Sequence, residues 1–395
     1  MKDLGVEAAR GRMLALARPL GSENVRLEAA FGRILAEPVT AVRDQPPFDA
    51  SAMDGWATRG PAADLAIVGE SAAGRGYPDP LAPDQAVRIF TGAPVPDGAE
   101  RVVVQEVAER SGERVKVPAV FADERFIRER GGDFREGDVL LASGLRLDAW
   151  RIGLAAAAGR TDLVVTRRPV AAILSTGEEL VRAGEPAGPD QIFDSAGPAI
   201  AALIKTWGGT ARRQETARDD LDAITEAVKA ADGDLVVTIG GASVGDHDLV
   251  KPAMARLGLE LAVETIAVRP GKPTWFGRLA DRRLVLGLPG NPASAMVCAE
   301  LFLRPLLNRL MGCDPGLRMS TARLAAPLPA NGKREHWLRA RLSIQRGELM
   351  ATPMPDQDSS LVSVFAGSDA LIRRRTDAPA AEAGAIVDLL PLARL

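Results

Sequence analysis

The sequence predicts a multidomain α/β protein with a central, doubly wound, mostly parallel α/β domain, two β-rich modules and a helical linking domain. Apolar strand-like runs alternate with amphipathic helical segments from Pro169 to about Met311, which is typical of a parallel sheet with helices on both faces. Short alternating runs separated by Gly and Pro fill about 60–130 and 315–395 instead, which indicates β-rich modules. The length of 395 residues favours two to four domains.

Each predicted element rests on a local pattern of this kind. We expect helices at 3–20, 29–35, 149–158, 198–207, 219–231, 248–257 and 293–310, strands at 170–174, 211–216 and 235–239, and paired strands near 260–286. The predicted domains are a helical linking domain (1–44 and 134–168), an inserted β-rich domain (45–133), an α/β domain (169–314) and a C-terminal β-barrel-like domain (315–395).

Composition excludes several classes of protein. A hydrophobic content of 46% and a charged content of 26% are normal for a soluble globular protein. The net charge of −3 lacks the basic surplus of a nucleic-acid-binding protein. No apolar run approaches the roughly 18 residues of a membrane span, and the charged N-terminal segment lacks the apolar core of a signal peptide. We therefore expect a cytoplasmic protein without nucleic-acid or membrane partners.

Few side chains are available for metal or nucleophilic chemistry. The two cysteines, Cys298 and Cys313, fit neither a disulfide framework nor a zinc knuckle. The two histidines, His247 and His336, argue against a His-rich metal site or a His-centred triad. The chemistry of an enzyme with this composition must come from carboxylates, cations and backbone groups.

The segment LVVTIGGASVGDHD, residues 235–248, has the order strand, glycine loop, helix start. In an open α/β sheet this is where ligands bind, because the loop offers backbone N–H groups to an anion. Taken alone, the segment fits an ordinary βα turn with a capping Asp equally well. Its glycine spacing matches neither a P-loop nor the dinucleotide-binding GxGxxG motif, and the sequence has no Gly-x-Ser-x-Gly elbow.

A second candidate anion site is the run Arg269-Pro270-Gly271-Lys272. Pro and Gly at the central positions favour a type II turn, whose ends approach within about 7 Å, so both cations could face one oxyanion. The alternative is a hairpin turn with solvated charges.

Carboxylates recur at the ends of predicted strands. They are Glu178 and Glu179, Asp219 and Asp220, and Asp246 and Asp248. Three such groups at one sheet edge could hold Mg²⁺ against a phosphate. Each one alone could equally be a helix cap, and Asp54 and Thr91 could belong only to a turn and a strand exit.

Together these segments resemble the molybdopterin molybdenumtransferase family, which includes bacterial MoeA and the E-domain of gephyrin. The matching motifs, in family order, are PPFDASAMDGWA, FTGAPVP, GGDFREGDVLL, ILSTGEELV, TARDD, TIGGASVGDHD, VRPGKPTWFG and GLPGNPASA. The resemblance implies a MogA-like central domain in a four-domain homodimer with active sites at the subunit interface. It also implies insertion of molybdate into adenylylated molybdopterin, with Mg²⁺ present and AMP released. Further partners would be an adenylyltransferase and apo-molybdoenzymes.

The resemblance also assigns site residues. The implied catalytic residues are Asp54, Thr91 and Asp133 on the face from the other subunit, and Glu179, Asp220 and Asp248 on the metal side. The implied substrate-binding residues are Gly240, Gly241, Ser243, Gly245, Arg269, Lys272, Pro289, Asn291, Arg339 and Ser359. Arg269 stands where the family has the first lysine of a Lys-Pro-Gly-Lys turn. This replacement keeps the positive charge but exchanges a compact ammonium group for a planar guanidinium group.

Two alternatives to this function stay open. The sister adenylyltransferase shares the central α/β domain and activates molybdopterin with ATP, but the extra β modules and the Arg-Pro-Gly-Lys turn favour the transferase. A non-catalytic scaffold like gephyrin is disfavoured because the sequence shows no disordered linker.

Overall fold

The computed structural model describes residues 1–61, 63–118, 125–218, 220–241 and 249–392. The chain forms two compact units. The larger unit consists of Met1–Glu23, Gly32–Ala36 and Val165–Leu395, and the smaller unit of Asn24–Phe31 and Glu37–Val164. The division into four domains stays a prediction.

The larger unit contains a six-stranded central sheet. Its strands, in spatial order, are Thr210–Arg213, Val170–Ser175, Leu235–Ile239, Leu284–Leu288, Trp275–Arg278 and Glu260–Val263. The first four are joined by parallel pairings and the last two by antiparallel pairings. This arrangement confirms the predicted mostly parallel α/β domain.

Helices cover both faces of the central sheet because alternate residues of each strand point to opposite sides. In the strand Leu235–Ile239, Val237 packs in the same apolar cluster as Ile200 and Ile204 of the helix Ala196–Thr206. Val236 packs in a second cluster with residues of the helices Leu221–Ala230 and Val250–Arg256. The predicted doubly wound arrangement is confirmed.

The remaining helices of the larger unit lie at its N-terminus and after the last parallel strand. They are Val6–Leu16, Pro292–Cys298, Arg304–Leu310 and Val362–Ala366, with a π-helical turn at Ala299–Leu303 joining the second and third. The long helix predicted at 293–310 is thus confirmed as one helical segment. No helix among the described residues is long and apolar enough to cross a membrane.

The helix predicted at 29–35 is wrong. A three-residue 3₁₀ turn, Leu27–Ala29, stands at the start of this segment. Gly32 has a φ of +73°, which a right-handed helix cannot contain. The Ile34 carbonyl instead accepts a hydrogen bond from the Thr166 N–H at 2.8 Å, so pairing with a distant segment replaces the local helix.

The C-terminal part of the larger unit is a second sheet. Its strands, in spatial order, are Val268–Arg269, Glu335–Gln345, Glu348–Pro353, Ser320–Leu324, Ile386–Pro391 and Ala370–Arg374. The last strand also pairs with Glu335–Gln345, so five strands close into a ring around an apolar cluster that includes Leu324, Leu338 and Ile372. The strand Val268–Arg269 extends this sheet by parallel pairing with Glu335 and His336.

The smaller unit is built on its own six-stranded sheet. The strands, in spatial order, are Arg101–Val104, Gly55–Thr58, Gln85–Ile89, Asp64–Ser71, Arg114–Lys116 and Glu109–Ser111. Beside it are the strand pairs Ile127–Arg128 with Ala50–Ser51 and Val139–Leu141 with Val39–Thr40, a 3₁₀ turn at Gln105–Val107 and the helix Ala149–Ala157. The strands Ser22–Arg26 and Asp162–Thr166 each cross the boundary between the units.

Candidate functional site

A cleft of about 1030 Å³ lies at the carboxyl edge of the central sheet. Thr176, Gly240 and Pro289 line it, and each directly follows a parallel strand. The predicted site residues that line it are Glu179, Gly240, Gly241, Arg269, Lys272, Pro289, Asn291 and Ser359. Parallel strands bring Gly240, Gly241 and Pro289 together because the carboxyl ends of these strands meet at one edge of the sheet.

The glycine loop begins with two residues that other amino acids could not replace without strain. Gly240 has a φ of +92°, and a Cβ there would lie 2.6 Å from the Thr176 carbonyl oxygen. Gly241 has a φ of +55°, and a Cβ there would collide with the Val250 side chain. The predicted site residues Ser243, Gly245 and Asp248, with Asp246, lie outside the described residues.

The Arg269–Lys272 turn differs in detail from the prediction. Gly271 has the positive φ that a type II turn needs, +111°, but the Arg269–Pro270 peptide bond is cis, whereas that turn type places its proline after a trans bond. The Thr274 hydroxyl donates a hydrogen bond to the Gly271 carbonyl at 2.7 Å and holds the turn from behind.

The two cations of this turn have different surroundings. Lys272 Nζ lies 3.5 Å from the Asp3 carboxylate, and about half of each side chain is exposed. Arg269 is exposed and forms no ion pair with the residues that the structure describes. Both cations line the cleft, so the sequence prediction that they share one site is compatible with their positions.

Arg269 is one of four arginines that lie near the side chain of His336. The pKa of His336 is lowered to about 4, first because its ring is buried and then because of neighbouring arginines. These are Arg269, Arg339, Arg334 and Arg374. Arg334 also lines the cleft. Arg269, Lys272 and Arg334 thus give this part of the cleft three cationic side chains, which suit an anionic ligand.

His336 should make the protein less stable in mild acid. The unfolded chain takes up a proton near pH 6.5 and the folded protein only near pH 4, so stability falls as the pH falls through this window. We expect replacement by glutamine, His336→Gln, to reduce the loss of unfolding free energy between pH 7 and pH 5 by on the order of 1 kcal/mol. Urea titrations of both proteins at the two pH values measure this difference. Equal losses in the two proteins would contradict it.

The predicted carboxylates occupy different positions. Glu179 is exposed in the cleft, with its carboxylate folded over Gly177, where a Cβ would lie 2.5 Å from Oε2. Asp220 is not among the cleft-lining residues; its Oδ1 accepts from the Asp222 and Ala223 N–H groups at 3.1 and 2.8 Å and caps a helix. Within the described part of the chain, no three His, Cys, Asp or Glu residues are grouped to hold a metal ion. The three-carboxylate metal site stays a prediction, since Asp248 lies outside that part.

The C-terminal sheet contributes a loop to the cleft. The Asn291 side-chain amide donates to the Ser359 hydroxyl at 2.8 Å, and the Ala293 N–H donates to the Ser359 carbonyl at 3.0 Å. The Gln357 amide pairs with both the N–H and the carbonyl of Arg339, at 2.9 and 3.0 Å. These bonds fix the loop between the two sheets.

Arg339, a predicted substrate-binding residue, lies within the strand Glu335–Gln345. Its side chain is fully buried, and its three guanidinium nitrogens have no hydrogen-bond partner within the described residues. It does not line the cleft. Burial lowers its pKa, while Asp356 and Asp358 act in the opposite direction. Its contact with substrate stays a prediction.

Sequence reasoning missed Asp194, a buried carboxylate at the cleft wall. It accepts hydrogen bonds from the Ser175 hydroxyl at 3.1 Å, the Gly197 N–H at 2.8 Å and the Arg213 guanidinium at 2.9 Å. The carboxylate joins two strand ends to the start of the helix Ala196–Thr206. The Asp-Ser pair before that helix was the available signal, because such residues cap helices.

In the smaller unit, two of the three predicted residues interact. Asp54 Oδ1 accepts from the Thr91 N–H at 2.7 Å and from its hydroxyl at 2.8 Å, and these bonds lower the pKa of Asp54. Asp133 is exposed, with its N–H donating to the Gln45 carbonyl at 2.9 Å.

The fold and cleft define an α/β protein with a ligand-sized cleft at the carboxyl edge of its central sheet. The sequence matches the probable molybdopterin binding domain over residues 172–309. It also matches the MoeA N-terminal region (domain I and II) over residues 4–159 and the MoeA C-terminal region (domain IV) over 321–392.

Individual relatives agree with these matches. The molybdopterin molybdenumtransferase of Nostoc sp. is 36% identical over 82% of this chain and 78% of its own length. That of Bacillus subtilis is 33% identical over 93% of this chain and 89% of its own. The crystal structure of a molybdopterin biosynthesis MoeA protein from Pyrococcus horikosii superposes with a TM-score of 0.84, at 30% identity and 99% coverage of both chains. The chain belongs to the MoeA family of molybdopterin molybdenumtransferases, which confirms the predicted resemblance and the class of enzyme.

Proposed function

We propose that this protein transfers molybdate into adenylylated molybdopterin, releases AMP and so forms molybdenum cofactor. The observation that carries the proposal is the cleft, in which Arg269 and Lys272 line the same space as the Gly240–Gly241 loop. Membership of the family supports the reaction class. The finer steps, an adenylylated substrate and AMP release, are those that the sequence resemblance implies, and the cations of the cleft suit them.

The two cations would bind an oxyanion with more than one negative charge. At about 4 Å and an effective dielectric near 20, each charge contact contributes up to about 4 kcal/mol before desolvation. A helix N-terminus alone contributes only about 0.3–1 kcal/mol at a surface. Molybdate and the phosphates of an adenylylated pterin are both suitable ligands by this criterion.

Cleavage of the phosphoanhydride-like bond needs positioning and charge stabilisation more than a protein nucleophile. In our proposal, a molybdate oxygen attacks the adenylyl phosphorus, the P–O bond to the phosphate of molybdopterin breaks, and adenylyl-molybdate forms. One dithiolene sulfur then attacks molybdenum and breaks its bond to the bridging oxygen, so that AMP leaves with that oxygen, and the other sulfur displaces a second molybdate oxygen, which leaves as water with the two thiol protons. In the first step, negative charge develops on the departing phosphate oxygen of molybdopterin. Arg269 and Lys272 stabilise that charge, and the Gly240–Gly241 loop lets the ligand approach the main chain closely. This mechanism needs no histidine, in agreement with the composition.

Among the described residues of the cleft, Glu179 offers an exposed carboxylate that is available to bind Mg²⁺. This ion commonly binds one or two carboxylates together with waters and substrate phosphates. Glu179 is exposed in the cleft and suits this role, whereas both oxygens of Asp194 already accept hydrogen bonds. We propose that Glu179 holds the ion, with Asp220 and Asp248 as the further predicted ligands. When bound, Mg²⁺ would neutralise phosphate charge.

We also propose that a second copy of the chain completes the site. Asp54, Thr91 and Asp133 belong to the smaller unit and do not line the cleft of the larger unit. A homodimer would place them on the opposite wall. We propose that the protein works in the cytoplasm, between an adenylyltransferase that supplies its substrate and apo-molybdoenzymes that receive its product.

The test is incubation of the purified protein with adenylylated molybdopterin, molybdate and Mg²⁺, followed by quantification of AMP and of molybdenum cofactor. We expect AMP release that depends on both molybdate and protein. Consumption of ATP with molybdopterin, instead of AMP release, would replace the proposal by the adenylyltransferase function. Absence of both reactions would favour the non-catalytic scaffold.

A further inference from the structure

Two adjacent apolar side chains, Ile192 and Phe193, are exposed on the wall of the cleft. We call them the Ile192–Phe193 platform. Their exposed fractions are 59% and 52%, although both line the cleft. Single exposed apolar residues need no explanation, but a pair beside charged and polar groups in a concave site indicates a surface that a ligand covers.

The platform is held rigidly by the chain on both sides. The Ile192 N–H donates to the Glu179 carbonyl at 2.7 Å, and the Asp194 N–H donates to the Val181 carbonyl at 2.8 Å. Asp194, the next residue, is buried and accepts three hydrogen bonds. The main-chain position of Phe193 is therefore fixed before a ligand binds, which reduces the entropic cost of ordering this segment on binding.

The platform offers apolar contact, which complements the positive charge of the Arg269–Lys272 turn. Arg269 and Lys272 suit the charged part of a ligand, but a phenyl ring with an isoleucine beside it suits a flat, weakly polar part. Aromatic side chains stack on planar heterocycles in an offset or edge-to-face arrangement.

We infer that Phe193 stacks on a planar fused heteroaromatic ring of the ligand and that Ile192 covers the rest of that ring. The inference rests on the proposed function, whose substrate carries two candidate ring systems, the adenine and the pterin, which is planar in its pyrimidinone part. The platform thus recognises the organic part of the substrate, while the Arg269–Lys272 turn recognises an oxyanion.

The test measures binding of each ring separately to the full-length protein. Neopterin binding is followed by quenching of its own fluorescence, and AMP binding by calorimetry. For Phe193→Ala we expect the dissociation constant of one of the two ligands to rise about tenfold or more, and for Phe193→Leu we expect a smaller rise, because leucine keeps apolar contact but cannot stack. The ligand whose binding weakens identifies the ring.

The matched control is Ile344→Ala, which removes an apolar side chain that is 77% exposed but does not line the cleft. It should bind both ligands as the wild type does. Unchanged dissociation constants in Phe193→Ala, or a wild-type protein that binds neither ligand, would overturn the inference. So would a Phe193→Ala protein whose oligomeric state in light scattering drops below that of the wild type, since another copy of the chain would then be the occupant.

These outcomes are separate from those of the proposed function. A wild-type protein that releases AMP in the presence of molybdate supports the proposed function whatever Phe193→Ala binds. A wild-type protein without that activity, whose neopterin or AMP affinity still depends on Phe193, would contradict the proposed function and leave the ring-binding surface supported.

Discussion

Replacement of Lys272 by alanine should reduce molybdate-dependent AMP release at least about 100-fold, with little change in stability. The reaction should slow because the cleft loses one of the two cations of its turn, and a charge contact of up to about 4 kcal/mol allows an effect of this size. Stability should change by less than about 1 kcal/mol, because the only ion pair that the described residues give Lys272 is the exposed one with Asp3. Steady-state AMP release and thermal unfolding measure the two effects.

The matched control is Lys333→Ala. Lys333 forms a similar exposed ion pair, 3.1 Å from the Asp377 carboxylate, but does not line the cleft. We expect wild-type AMP release from this variant. Wild-type turnover by Lys272→Ala would contradict the assignment of the turn as the oxyanion site.

Replacement of Gly271 by alanine should destabilise the protein by roughly 2–6 kcal/mol. One part is backbone strain, because φ is +111° there, and strain of this kind costs about 1–3 kcal/mol. The other part is overpacking, since a Cβ would collide with the buried Cys298 Sγ, at a further cost of about 1–3 kcal/mol. Denaturant unfolding measures the sum.

Two comparisons separate these contributions. Gly384 has a φ of +85° and open space around its Cβ position, so Gly384→Ala should show only the strain. The double variant Gly271→Ala with Cys298→Ala removes the sulfur atom and should recover part of the loss. A Gly271→Ala protein as stable as Gly384→Ala would show that the turn moves away from Cys298 without cost.

Elements with a simple periodic signal were predicted well. All five residues of the strand Leu235–Ile239 are buried, and a strand covered on both faces gives a continuous apolar run that the sequence displays directly. The region 29–35 was predicted wrongly because apolar spacing suggested a helix, while the positive φ of Gly32 and the hydrogen bond between Ile34 and Thr166 depend on the folded chain.

The parts of the candidate site that were predicted are those whose residues are neighbours in the sequence. The Gly240–Gly241 loop and the Arg269–Lys272 turn carry their signals in a few neighbouring residues, and both line the cleft. Asp194 was missed because its partners Ser175 and Arg213 each lie 19 positions away. The burial of Arg339 was not predictable either: Arg341, two residues on and expected on the same face of the strand, is exposed.

The pairing of Val268–Arg269 with Glu335 and His336 bears on how this enzyme can be recombined with its relatives. Arg269 owes its main-chain position to the C-terminal sheet, while the glycine loop belongs to the central sheet. A chimera joined near residue 315 would therefore take the Arg269–Lys272 turn from one parent and the strand Glu335–Gln345, which pairs with it, from the other parent. An intact exchange needs Val165–Leu395 together with Met1–Glu23 and Gly32–Ala36, the other segments of the larger unit. Exchange of the α/β region alone should shift the Arg269 guanidinium relative to Gly240 and Gly241.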